Sequence, residues 1–328
     1  MATTRMWRVL VPAVCVTAAV VAGGCGGDSA PAEEGQTASQ RITRDFGRVE
    51  LAAEELPVDD RTTVSDMLES RHDIKVYSFR GWPKDIDGLA TRSGGEIETS
   101  WILNVNGIEA DHSPRGYPVG PGDVIQWDYR DWYTTLDARA TVGAFPATFT
   151  RGMFGRPFAT TVECADPAST ACDVVKGSLR DAGVPLDGSR PEGPRPQALD
   201  VQRARVLVGP WPRWREREWP SRLDIGAGSS GVFARFDEAA DRITLLDWDA
   251  RAVKSVGAGS GLVAAMKPTE QDLVWLITGV DAAGVERAAR ALGSDELQNA
   301  FALVVTPERS YKVPLPRPNP GVVRERGD

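Results

Sequence analysis

The first 24 residues constrain the chain most strongly, because they decide in which compartment it folds. Arg5 and Arg8 form a short basic start, and residues 9–22 are almost wholly apolar. This run is shorter than the roughly 20 residues that a membrane-spanning helix needs, and an Ala-Gly-Gly sequence ends it at residues 22–24. A basic head, a short apolar run and small residues at a cleavage site predict a secretory signal over residues 1–24. We therefore expect the chain to fold outside the cytoplasm.

Cys25 stands directly after this signal. A cysteine at the cleavage site resembles the lipobox of bacterial lipoproteins, in which the thiol carries lipid and becomes the new N-terminus. The resemblance implies lipidation at Cys25 and a place at the cell membrane, on its extracytoplasmic face. Residues 25–41 are small and polar, which predicts a flexible tether. The alternative is a plain secretory signal with a cysteine that happens to lie nearby.

Two further cysteines, Cys164 and Cys172, belong to the exported part of the chain. An oxidising compartment permits disulfides, and two cysteines that close a small loop favour pairing. A metal site is the rival interpretation, but it needs further ligands. Because His72 and His112 are both far away in the sequence, we predict a disulfide between Cys164 and Cys172 and no metal or other cofactor.

The formal net charge of −8 makes nucleic acid a poor partner, because phosphate backbones repel an acidic protein. The length suggests two domains after the signal. Residues 42–150 show mostly strand patterns with one short helix, and residues 157–315 mix strands and helices. A tail rich in proline and charge follows at 316–328 and is predicted to be disordered. The predicted fold class is therefore α+β, a small β-rich domain followed by an α/β or α+β sandwich domain.

A group of motifs in the first of these domains is shared with a known family. Residues 101–107 (Trp-Ile-Leu-Asn-Val-Asn-Gly), Tyr117 and residues 122–129 (Gly-Asp-Val-Ile-Gln-Trp-Asp-Tyr) resemble the bacterial domain related to the C-terminal domain of transcobalamin. A Thr-Val-x-x-x-Leu helix at 63–68 and the opening Ile-Thr-Arg-Asp-Phe-Gly at 42–47 also match. The resemblance covers about a third of the chain and implies a β-grasp-like fold.

In transcobalamin-like proteins this domain covers one face of a corrinoid, and a separate helical barrel holds the other face. This chain has no helical barrel, so cobalamin binding is not carried over with the fold. The resemblance implies a domain suited to binding a small molecule or a protein.

Aromatic side chains are the strongest candidates for a binding role, since flat rings with one polar edge stack on planar ligands. The chain has ten tryptophans. For Trp101 and Trp127, on alternating strands, the core is the competing explanation, whereas Trp82 and Trp132 fall in predicted loops or strand ends. The candidate ligand-binding residues are Trp82, Trp101, Tyr117, Trp127, Trp132 and Tyr133.

A second aromatic cluster alternates tryptophans with arginines at residues 211–219. The pattern predicts an amphipathic helix over 212–219 that docks on the sheet, with the arginines outside. The alternative is a surface for an anionic ligand or a partner. Clear helices are also predicted over 172–182 and 281–292, the second capped by Asp281 and ended by Gly293.

We find no catalytic constellation in the sequence and predict a protein that is not an enzyme. A nucleophile elbow is absent, and the glycine-rich residues 257–261 precede a strand, whereas a phosphate-binding loop leads into a helix. The leading hypothesis is capture of a small planar, corrinoid-like ligand between the two domains, for delivery to a membrane transporter. The alternatives are an envelope protein–protein interaction module without a small ligand, and an unrecognised hydrolase of envelope sugars.

Overall fold

A computed structural model of the chain describes residues 36–77, 81–93, 98–131, 138–188 and 202–317. Within these ranges the fold is mixed α/β, mostly strands, and its several sheets are consistent with two domains. We call residues 36–131 the N-terminal part and residues 138–317 the C-terminal part. No helix of the described ranges is long and apolar enough to cross a membrane. The predicted signal, Cys25, Trp132, Tyr133 and the last eleven residues lie outside the described residues.

The N-terminal part is built on a five-stranded sheet in the order β2-β1-β8-β6-β7. Strands β1 and β8 run parallel at its centre, and the other neighbours are antiparallel. A small antiparallel sheet, β3-β4-β5, packs beside it. The elements are β1 Thr37–Arg44, β2 Val49–Pro57, α1 Val64–Glu69, β3 Ile74–Tyr77, β4 Trp82–Ile86, β5 Leu89–Ala90, β6 Thr99–Val105, β7 Ile108–Glu109, a 3-10 turn Pro114–Gly116 and β8 Val124–Asp131.

Local sequence explains how α1 forms and where it packs. Thr63 caps it in a capping box, accepting from the Asp66 amide while the Asp66 carboxylate accepts from the Thr63 amide. Val64, Met67 and Leu68 then share one buried face and lie against the apolar face of the sheet. The short helix predicted at this position is confirmed.

The C-terminal part is built on a six-stranded sheet in the order β17-β16-β14-β15-β10-β9, with a three-stranded sheet β11-β12-β13 beside it. Its elements are α2 Ala147–Thr150, β9 Ala159–Cys164, α3 Thr170–Asp181, β10 Arg203–Pro210, a 3-10 turn Trp211–Arg213, α4 Arg222–Ile225, α5 Ala227–Ser230, β11 Ala234–Phe236, β12 Ile243–Leu246, β13 Ala252–Val256, β14 Gly261–Met266, β15 Asp272–Gly279, α6 Ala282–Arg290, a 3-10 turn Asp295–Leu297, β16 Ala302–Val305 and β17 Ser310–Val313.

The central strands of this sheet are buried on both faces, which is why β14 is apolar along its whole length. One face is covered by α3 and α6, whose apolar residues pack on it. The predicted helices at these positions are confirmed, and Asp281 caps α6 by accepting from the Gly284 amide. The predicted disulfide is also confirmed. It joins Cys164 at the end of β9 to Cys172 in α3, with the two Cα atoms 5.9 Å apart.

The helix predicted over 212–219 is wrong. The chain there forms the 3-10 turn Trp211–Arg213 followed by further turns, and Trp211 and Trp214 are both fully buried. A 3-10 turn repeats every three residues, so residues 211 and 214 lie on the same side of it and both tryptophans can be buried, as they would be on one face of a helix. Trp211 stacks on Phe236 at 4.9 Å, so this segment covers the second face of the sheet.

Both ends of the fold also extend further than the sequence indicated. Strand β1 begins at Thr37, inside the segment predicted as a tether, because its polar residues pair with β2 and β8. At the other end Arg317, assigned to the tail, forms two bonds with the Asp249 carboxylate. Strands β4, β5, β7, β13 and β17 were not predicted.

The turn between β1 and β2 joins the two parts of the structure. Phe46 at its tip is buried in the core of the C-terminal part, with its ring 5.3 Å from Phe301 and 5.6 Å from Phe233. A Cβ on Gly47 would lie 1.9 Å from the Asn299 carbonyl oxygen, so only glycine allows this approach. The described residues accordingly belong to one compact unit.

Replacing Phe46 by Ala should lower the free energy of unfolding by about 3–5 kcal/mol, because it removes a buried ring from the contact between the N-terminal and C-terminal parts. Urea unfolding of the full chain in detergent measures this change. Leu51→Ala on the neighbouring strand is the control, since that side chain is exposed and should change stability by less than about 0.5 kcal/mol. A loss below about 1 kcal/mol for Phe46→Ala would contradict the conclusion that this ring holds the two parts together.

Candidate functional site

Three of the predicted ligand-binding residues are core side chains. Trp101, Tyr117 and Trp127 are each at most 3% exposed and pack between the N-terminal sheet and its covering elements. Trp82, predicted in a loop or at a strand end, begins β4 and is half-buried, with its ring edge-on to Trp127 at 6.2 Å. Trp132 and Tyr133 lie outside the described residues, so their binding role stays a prediction.

Tyr117 has a structural explanation that leaves its ring no free face for a ligand in this conformation. Its hydroxyl oxygen accepts from the Phe154 amide at 3.0 Å, and its ring stacks on the Phe154 ring at 4.2 Å. Burial raises the pKa of the phenol, and the bond from Phe154 only partly offsets that rise. The residue therefore ties the N-terminal part to the segment that follows α2.

The Asn-Gly and Gly-Asp turns of the sequence motifs are also explained by hydrogen bonds. The Asn106 side-chain amide donates to Asp123 and to the Gly152 carbonyl, both at 2.9 Å, and its oxygen accepts from Val124. Asp123 accepts in addition from the Arg151 side chain at 3.2 Å. These motif residues build the frame of the fold and are not a binding surface.

A cleft of about 300 Å³ lies between the two parts of the structure. The N-terminal part contributes the β1–β2 turn, β5, β6 and β8, and the C-terminal part contributes the turn after β12 and the segment after β17. Its lining residues are Arg44, Asp45, Phe46, Leu89, Arg92, Thr99, Tyr129, Arg130, Asp131, Trp248 and Arg317.

Three aromatic side chains give the cleft flat apolar walls. Phe46 and Trp248 lie nearly parallel, with centroids 6.1 Å apart, and come from opposite parts of the structure. Tyr129 is fixed by two hydrogen bonds of 2.7 Å: its hydroxyl donates to the Ala90 carbonyl and accepts from Thr99. Phe46 and Tyr129 are themselves buried, so the half-buried Trp248 is the ring of this group best placed to contact a planar ligand.

Four guanidinium groups also line the cleft, and they differ in how closely a carboxylate neutralises the charge of each. Arg130 is buried, lies 3.6 Å from Asp128 and 3.5 Å from Glu109, and sits over the Phe301 ring at 4.7 Å. Arg317 pairs with Asp249, and Arg44 lies 3.4 Å from Asp45.

Arg92 is exposed, as Arg44 is, but unlike Arg44 it has no carboxylate recorded beside it among the described residues. Among the described residues its side chain has no hydrogen bond or ion pair, and only its main chain bonds to Thr99. A guanidinium without a partner at the mouth of a cleft is available to a ligand.

Asp45 occupies an unfavourable position in the wall of the cleft. Its φ of 57° is left-handed, as are those of Phe46 and Gly47 after it. Burial raises the pKa of the Asp45 carboxyl, and repulsion from Asp128 adds to the rise, while Arg44 opposes it. The charged form of Asp45 is therefore less favourable in the folded chain than in the unfolded chain.

Flat rings together with guanidinium groups suit binding of a small organic molecule. Among the described residues no group of three or more His, Cys, Asp and Glu side chains could hold a metal ion.

Sequence reasoning missed this site because its residues are spread over nearly the whole chain. The signal that was present is the motif at 42–47, which supplies Arg44, Asp45 and Phe46 to the cleft.

Comparison with known proteins leaves the chain without an assigned family. No family model matches it, and no curated protein matches it. One solved structure with similarity is described as a "putative metal binding protein" from Ruminococcus gnavus. It is 16% identical, with a TM-score of 0.26, over 30% of this chain and 98% of that chain. Similarity at this level carries no argument about the fold or function of this protein.

Replacing Asp45 by Asn should raise the free energy of unfolding at pH 7 by less than about 1 kcal/mol, because it removes a charge that the folded state disfavours. Asparagine also tolerates the left-handed backbone. A carboxyl with a raised pKa favours folding at low pH and loses that contribution as the pH rises through the folded-state pKa. The gain should therefore shrink as the pH falls from 7 to 3.

Urea titrations at several pH values measure this dependence, with the exposed Asp60→Asn as the matched control. A variant that is less stable than the parent at pH 7 would contradict the electrostatic account of the turn.

Proposed function

We propose that this protein is a lipid-anchored, extracytoplasmic binding protein that captures a small planar ligand in the cleft between its two parts. The single observation that carries the proposal is this cleft of about 300 Å³, which has aromatic and guanidinium walls drawn from both parts. A membrane transporter that receives the ligand is the partner we propose.

The shape of the cleft favours ligand capture over a protein–protein interaction module. A concave site encloses a small molecule, whereas interaction surfaces are flatter and built around exposed apolar anchors. The large exposed apolar side chains of the described residues lie on four different elements: Leu51, Tyr77, Ile225 and Val253. The interaction module therefore gains no specific support from these residues.

The size of the cleft narrows the class of ligand. About 300 Å³ is at the lower end of the range for sites that enclose small organic molecules. One ring or a fused pair of rings fits such a space, while a corrinoid macrocycle would enter only by an edge. A planar aromatic compound, with a negative group that meets Arg92, suits the walls best.

The order of strands supports the proposed relation to transcobalamin-like domains. A β-hairpin, a helix and further strands form a mixed sheet whose first and last long strands lie parallel at its centre. This arrangement agrees with a β-grasp-like fold for the N-terminal part. The lipid anchor is proposed from the sequence alone, through Cys25 and the signal before it.

Binding of a planar ligand should quench the fluorescence of Trp248 and should be lost when this ring is removed. We would titrate the full chain in detergent with naphthoate, naphthamide, haem and cobalamin. We expect saturable quenching with a Kd in the micromolar range or tighter for at least one compound. Trp248→Ala should weaken this binding more than about tenfold, as expected for an aromatic anchor.

Trp82→Ala is the matched control, because Trp82 is also a half-buried tryptophan but does not line the cleft. Since Trp248→Ala removes the reporter, equilibrium dialysis measures its affinity. Loss of binding in Trp82→Ala, with full binding in Trp248→Ala, would contradict the proposal that the ligand binds in the cleft. It would favour the site predicted from the sequence. Absence of binding to the whole panel would contradict the proposed ligand class.

A further inference from the structure

A second, smaller concavity of about 60 Å³ lies in the C-terminal part, where β14 ends. It shares no residue with the cleft proposed as the ligand site. Its lining residues are Arg139, Trp219, Arg222, Ser229, Ser230, Met266, Lys267 and Pro268.

The lining of this concavity carries an excess of positive charge. It includes three cationic residues and no acidic one, on a chain whose formal net charge is −8. Two carboxylates oppose this charge. Glu270 lies 3.5 Å from both Arg139 and Lys267 and is 60% exposed, and Asp111 also acts electrostatically on Lys267. Two carboxylates against three cations leave the site with a net positive charge.

Arg222 is the group best placed to bind an anion. Its guanidinium lies 4.9 Å from the centre of the Trp219 ring, which holds its plane in place. Within the described ranges this side chain has no hydrogen bond or ion pair, so its donors are available. Ser229 lines the same space, and among the described residues its hydroxyl also has no recorded partner.

Lys267 supplies a fixed positive charge at the wall of the site. Its side chain is 5% exposed, and its Nζ donates to the carbonyls of Thr269 and Glu270 at 2.9 and 3.0 Å. Burial lowers the pKa of this ammonium group, and the nearby Arg139 lowers it further, while Glu270 and, more weakly, Asp111 oppose the shift. An anion in the concavity would relieve the repulsion between the two cations.

We propose that this concavity binds a single tetrahedral oxyanion, phosphate or sulfate, held by the Arg222 guanidinium and the Ser229 hydroxyl. The oxyanion is either free in solution or the terminal group of a larger molecule. A space of about 60 Å³ has room for one small oxyanion and none for an organic ring. The planar fork of an arginine matches two oxygens of such a group, and a hydroxyl supplies a further donor.

Isothermal titration calorimetry of the full chain in detergent tests this site at low ionic strength, where exposed charges are least screened. Inorganic phosphate and sulfate are the first probes, and phenyl phosphate represents the terminal group of a larger molecule. We expect saturable binding of at least one of these oxyanions. Arg222→Gln should weaken it by about tenfold or more, and Ser229→Ala by about threefold to tenfold.

Arg217→Gln is the matched control, because Arg217 also lies over a tryptophan ring, that of Trp214 at 5.9 Å, but does not line the concavity. It should bind oxyanions like the parent chain. Tighter binding of phenyl phosphate than of phosphate would support the site and assign it to a larger molecule, and the reverse order would assign it to the free ion.

No saturable binding by the parent chain would overturn the proposal. Equal weakening by Arg222→Gln and Arg217→Gln would overturn it as well, since it would indicate a general effect of charge. Ser229→Ala keeps the test decisive if Arg222→Gln fails to fold, because it removes one hydroxyl and no charge.

Discussion

The carboxylate of Asp128 holds the turn on which the rest of the structure depends. It is fully buried and accepts hydrogen bonds from the Thr43 hydroxyl at 2.7 Å and from the amides of Phe46 and Gly47 at 3.1 and 2.9 Å. The left-handed backbone of Asp45 and Phe46 is costly for L-amino acids, whereas Gly47 after them adopts it freely. Bonds to a buried charge offset that cost, and they direct Phe46 into the core of the C-terminal part. Phe46 joins the two parts beside the cleft, together with polar contacts such as the bonds of Asn299 to Arg41 and Glu50.

Features that depend on neighbouring residues were predictable from the sequence. The caps at Thr63 and Asp281 set the start of α1 and α6 through bonds that span three residues, and the Cys164–Cys172 disulfide closes a short loop. The alternation of apolar residues located most strands for the same reason. Each of these signals is contained in a window shorter than about fifteen residues.

Features that depend on distant residues were not predictable in this way. Apolar spacing in residues 211–219 fits both a helix and a tight turn, and the choice was decided by the sheet on which Trp211 and Trp214 pack. Burial of Trp101, Tyr117 and Trp127 removed three aromatic candidates for the site. The cleft residues Arg44, Arg92 and Arg317 are far apart in the sequence and come together only in the folded chain. No local sequence motif could therefore predict that they share a site.

Hydrogen exchange of the full chain, followed through increasing denaturant, tests most directly whether the two parts are one unit joined by Phe46. The account predicts that the slowest amides of β8 and β15, at the centres of the two main sheets, exchange through the same global opening with the same free energy. It would be contradicted if β8 opened separately, with a free energy at least about 1 kcal/mol below that of β15. The cleft would then lie between two independent domains, and Phe46 would not be the joint.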